Sequence, residues 1–118
     1  MRLYLKSALL SCWTNDYNGQ KFVHFQQQPY SWEQKRFRYV FLPVEVVPQL
    51  KENLCQMSVG RLEDQLAPVS VYNPYKVVTG RNGRGGYELK VLTSNDVIAK
   101  VEVENCNELL AALQVLVP

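Results

Sequence analysis

The chain lacks the residue pairs that most metal and redox sites are built from. Its three cysteines, Cys12, Cys55 and Cys106, are far apart, no Cys-x-x-Cys pair occurs, and His24 is the single histidine. A zinc site needs about four ligands from the Cys, His, Asp and Glu set, so no metal centre is expected and the thiols should be free and buried. A catalytic relay is missing for the same reason. His24 has no spaced partner and no nucleophile elbow is present, so a non-enzymatic protein without a cofactor is expected. Long apolar runs are also absent: none approaches the ~20 residues that span a bilayer. The first fourteen residues hold a short apolar patch that soon gives way to polar ones, too broken for a signal peptide. These features lead to the expectation of no membrane contact and a cytoplasmic or nucleoid location, or an organellar one if a targeting segment is missing.

What is present fits one globular domain over residues 1–118, with 47% hydrophobic and 20% charged residues. The net charge of +2 conceals an uneven distribution. Lys and Arg outnumber Asp and Glu by six to two in residues 1–42 and by four to one in residues 69–93. The acids lead by four to two in residues 43–68 and by four to one in residues 94–118.

The stretch Lys21 to Tyr39 interleaves aromatic and basic side chains, with Glu33 as its single acid. Rings give unpaired bases a face to stack on, and cations neutralise phosphates; together they are the chemistry of single-strand nucleic-acid binding. The competing reading is a strand whose aromatics are core and whose cations are solvated.

Alternation predicts strands over residues 3–13, 21–27 and 36–42, with a turn at Asn15–Gly19. On the second strand Phe22, His24 and Gln26 share one face. On the third, Phe37, Tyr39 and Phe41 share one face and Arg36, Arg38 and Val40 the other. The period then changes. Val47, Leu50, Leu54 and Met57 predict a helix from about Val46 to Ser58–Gly60, with Pro48 tolerated in its first turn. Strand pieces follow at 68–72, 75–79, 87–92 and 97–103, with a loop at 80–86, where four glycines fall in seven residues. Asn105 followed by Glu108 marks the N-terminus of a last helix, whose stripe of Leu109, Leu110, Leu113, Leu116 and Val117 reads as core, subunit interface or both. The fold class is therefore α+β: two antiparallel sheet segments, each followed by a helix. The basic blocks are the strands and the acidic blocks hold the helices, a polarity that suits a polyanion binder.

Several segments resemble the Whirly single-stranded-DNA-binding family. Lys6-Ser7-Ala8-Leu9-Leu10-Ser11 is similar to its first-strand motif. Phe22-Val23 with Gln26 and Pro29 is similar to its second strand, and Tyr30-Ser31-Trp32-Glu33-Gln34-Lys35 to the segment leading into the third. Tyr87-Glu88-Leu89 through Asn107-Glu108-Leu109-Leu110 to Leu116-Val117-Pro118 matches the C-terminal part, and residues 58–80 are unmatched. The resemblance, shared with trypanosomal mitochondrial guide-RNA-binding proteins, implies a Whirly-like fold, a single-stranded DNA or RNA ligand read with weak sequence selectivity, and a homo-oligomer, a tetramer in that family. It implies a role in nucleic-acid maintenance, recombination or processing.

The candidate contacts are Lys6, Lys21, Lys35, Arg36 and Arg38 for phosphates and Phe25, Tyr30 and Trp32 for bases. Arg81 and Arg84 lie in a loop able to drape over a backbone. Trp32 reads equally as a ring covering the rim of the core, and His24 as a packed strand residue. The alternative function is a protein–protein adaptor or regulatory subunit that docks through the aromatic patch.

Overall fold

A computed structural model describes residues 1–28, 38–60, 69–70, 75–83, 85–93 and 96–118, and among these it places two antiparallel sheets and two α-helices. The first sheet is a meander of β1 (Arg2–Leu5), β2 (Leu10–Tyr17), β3 (Gln20–Gln27) and β4 (Tyr39–Pro43). α1 (Val47–Ser58) follows. The second meander comprises β5 (Val69–Ser70), β6 (Tyr75–Arg81), β7 (Tyr87–Thr93) and β8 (Asp96–Val103), and α2 (Cys106–Leu116) ends the fold. The expected α+β class with two antiparallel sheets and two helices is the one observed. No helix among the described residues is long and apolar enough to cross a membrane.

Local differences from the expected elements have physical causes. The predicted strand 3–13 is two strands. A 3-10 turn at Lys6–Ala8 and Leu9, in the left-handed region at φ 53°, fold it into a hairpin that pairs Leu5 with Leu10. Doing so buries Leu10 completely and leaves its neighbour Leu9 on the surface, an arrangement one continuous strand could also give only by keeping every later residue in phase. The next turn is tighter than expected. β2 runs to Tyr17, and only Asn18 (φ 51°) and Gly19 (φ 79°) connect it to β3. Two successive left-handed residues suit a two-residue hairpin, and Asn-Gly is the favoured pair for it. Gly80 and Arg81 belong to β6, so the glycine-rich loop begins at Asn82. Asn82 closes that loop: its N–H donates to the Gly86 carbonyl and its Oδ1 accepts from the Gly86 N–H, both at 3.1 Å. A Cβ on Gly86 would lie 3.1 Å from the Val103 carbonyl oxygen, so a larger residue there would need the neighbouring backbone to give by a few tenths of an ångström.

Both helices form as expected. Pro48 sits in the first turn of α1. At α2, the Asn105 side chain accepts from the Asn107 N–H at 2.8 Å and supplies the cap. The helices pack on each other. Their stripes, Val47, Leu50, Leu54 and Met57 with Leu109 and Leu113, are at most 2% exposed within the single chain. Leu109, Leu113 and Leu116 of the C-terminal stripe are thus core within one chain, while Leu110 and Val117 stay partly exposed. The buried leucines join Leu10, Cys12, Val23 and Phe25 from the first sheet and Val77, Leu89 and Val101 from the second. Burial raises the Cys12 thiol to about 12 and the Cys106 thiol to about 11, which keeps both protonated and unreactive. Cys55, expected to be buried, is exposed on α1.

A side chain of β3 links the two sheets. Gln27, at the end of β3, donates through Nε2 to the Glu102 carbonyl (2.9 Å) and the Ala8 carbonyl (2.8 Å), and its Oε1 accepts from the Glu102 N–H (3.0 Å). Its amide thus engages both backbone groups of one β8 residue, as a paired strand does.

Candidate nucleic-acid interface

Alternation along each strand sends one set of side chains to the core and the other to the face opposite the helices. On the first sheet the inward set is Leu10, Cys12, Val23, Phe25, Val40 and Leu42. The outward set is aromatic. Cross-strand register places Arg2 beside Trp13, Trp13 beside His24 and His24 beside Phe41, one residue from each strand in a single row. A second row runs Tyr4, Ser11, Gln26, Tyr39.

The first row is a ladder of stacked groups. The Arg2 guanidinium lies 4.1 Å from the Trp13 ring centre. Trp13 and His24 are 5.0 Å apart and nearly parallel, at 3°. His24 and Phe41 are 5.9 Å apart at 23°. Tyr39 stacks against both Trp13 and His24. Contacts of this kind are worth about 0.5–1.5 kcal/mol each beyond burial, so the rings are held as a set. Tyr4 and Phe41 remain more than half exposed, at 55% and 52%.

A hydrogen-bond chain fixes the centre of the ladder. The Asn15 Oδ1 is 2.6 Å from His24 Nε2, and the Tyr39 hydroxyl is 2.5 Å from Nδ1. An amide oxygen only accepts, so Nε2 carries the proton and Nδ1 accepts from Tyr39. Burial lowers the His24 pKa from its ordinary 6.5 and raises that of Tyr39, keeping both neutral. The unfolded chain takes up the histidine proton as pH falls through about 6.5, the folded chain only below that. The stabilisation is therefore complete above 6.5 and lost as pH drops toward the lowered folded value. Thermal unfolding at pH 7, 6 and 5 should show the melting temperature falling with pH, and His24→Gln should remove part of that dependence. An identical pH profile in the variant would mean that His24 does not titrate differently in the folded state.

Only part of the sequence-predicted site meets this face. Phe25, expected to meet bases, is fully buried, because it shares the inward face with Val23. Arg38, expected to contact phosphate, is 6% exposed and pairs with Glu102 at 3.4 Å. It precedes β4 in the same alternation as Val40 and Leu42, which point inward. Lys6 is exposed in the 3-10 turn, and Lys21 is exposed opposite Asp16. Arg81 is exposed and lines a 480 Å³ concavity with Gly83, Gly85, Gly86 and Tyr87. Tyr30, Trp32, Lys35, Arg36 and Arg84 lie outside the described residues.

Sequence reasoning missed Arg2, Trp13 and Phe41 as site residues. The signal was the Asn18–Gly19 turn: a two-residue turn pairs Tyr17 with Gln20, and counting back from it sets Trp13 opposite His24.

No protein-family model, curated protein or solved structure matches this chain.

Proposed function

We propose that the chain is a non-enzymatic binding module for single-stranded nucleic acid, DNA foremost and RNA as a second ligand, with weak sequence selectivity. The observation that carries this reading is the cross-strand aromatic ladder ending in Arg2 on the face of the first sheet away from the helices. The inner π-faces are taken by stacking within the ladder, so bases meet the rings left exposed at its margins, Tyr4 and Phe41, and Arg2 at the edge neutralises phosphate. The acids of the helical segments support the same polarity. Glu52 and Glu108 belong to α1 and α2, which cover the inward face, so negative charge is kept behind the ladder.

The Whirly resemblance fits this reading through its order of elements, a four-stranded meander then a helix, twice. Homo-oligomerisation belongs to the same reading. Within the C-terminal stripe Leu109 and Leu113 are fully buried in one chain, so an oligomer would use Leu110, Val117 or other surface.

Matched single-stranded and duplex oligonucleotides across a salt series provide the test. Single strands should bind more tightly than duplex, with affinity falling steeply as salt rises. Tyr4→Ala should weaken single-strand binding by about 1–3 kcal/mol and change thermal stability by less than about 0.5 kcal/mol, as for an exposed residue. Arg2→Ala should lower the slope of log affinity against log salt by about one. Equal affinity for duplex would refute the proposal. Binding of a protein partner through Tyr4, indifferent to salt, would favour the adaptor reading.

A further inference from the structure

The stacked ladder ends at Phe41 because β4 is the last strand of its sheet. Beyond that edge lies the second sheet, whose β8 packs against β4. Between them is a groove of about 340 Å³ lined by Tyr39, Phe41, Tyr75, Val91, Ile98 and Ala99. Two of these rings, Tyr39 and Phe41, belong to the ladder face itself, so face and groove are continuous. Tyr75 and Ile98 on the far wall are 42% and 44% exposed. No charged side chain among the described residues lines the groove. Its volume is within the range of small-ligand sites, about 300–1,000 Å³.

A phosphate would lack a counter-charge in this groove, whereas a planar, neutral, aromatic group would continue the stack of Trp13, His24 and Phe41. From this we infer that the groove holds one unstacked nucleobase of the bound strand, laid against Phe41 and covered by Ile98. The inference rests on the nucleic-acid reading above and adds to it a place where a base leaves the strand's own stack. Phosphates stay outside the groove, so this contact contributes affinity that does not depend on salt.

The test uses a fluorescein-labelled single-stranded oligothymidylate, read by anisotropy across a salt series, and the same oligomer with one 2-aminopurine. Ala99→Leu fills the groove. Ile98→Gln removes apolar cover at an exposed site without adding charge, and so serves as the variant whose folding is not at risk. Each should weaken binding by about 5- to 150-fold, the loss of one stacked base, with the salt slope unchanged. The 2-aminopurine fluorescence should be quenched by the wild type and less so by either variant. Wild-type affinity in both variants, alongside weakened binding by Tyr4→Ala, would overturn the groove assignment and leave the general reading standing. No single-strand binding by the wild type would overturn both. A change in sedimenting mass on Ala99→Leu with unchanged strand affinity would assign the groove to a second copy of the chain and overturn the inference.

Discussion

Leu113→Glu should leave no cooperatively folded protein. Leu113 is fully buried between α1 and the sheets, so the substitution loses an apolar contact worth about 2–5 kcal/mol and places an unpaired carboxylate in the core. The total exceeds about 5 kcal/mol, the lower end of the whole stability of a small domain. Circular dichroism should show loss of strand and helix signal with no thermal transition. A stripe lying at a subunit interface would instead give a smaller but folded particle. Retention of a normal melting transition by the variant would restore that interface and contradict the packing of α2.

Arg38→Ala should cost about 3–5 kcal/mol, the loss typical of breaking a buried ion pair from one side. Glu102 faces Glu88 across the β7–β8 pair, and both are less than a tenth exposed. Glu88 has Lys90 at 3.4 Å and Lys100 at 3.8 Å, and Arg38 answers Glu102 at 3.4 Å. Without the guanidinium, the buried Glu102 carboxylate would lose this counter-charge beside Glu88. The double variant Arg38→Leu with Glu102→Leu should recover most of the loss, because a matched apolar pair replaces a buried ion pair at little cost. Urea denaturation of the single and double variants measures both terms. A loss below about 1 kcal/mol in the single variant, with reduced oligonucleotide affinity, would return Arg38 to the phosphate contacts.

Periodicity revealed the helices and most strands because each local choice agreed with the fold. Val47, Leu50, Leu54 and Met57 repeat at helical spacing, and Asn105 is a cap both in sequence and in geometry. The first hairpin was hidden because Lys6–Leu9 turns without glycine or proline, using a left-handed leucine that no sequence rule favours. The candidate face was half visible. Phe22 and His24, and Tyr39 and Phe41, were assigned their shared faces correctly. Which residues meet across strands depends on register, and which face is open depends on where the helices dock, a non-local fact. Arg38 shows the same limit. It looked like a second cation on an open strand face, and its partner Glu102 is 64 positions away in the sequence.

Gln27 has a further effect at the boundary of the second sheet. A terminal strand leaves backbone donors and acceptors free to recruit a strand from another chain, the route by which sheets grow into aggregates. At Glu102 on β8 both backbone groups are already taken by the Gln27 amide. A side chain there finishes the sheet in place of a strand, and a neighbouring molecule finds no template at that point to copy.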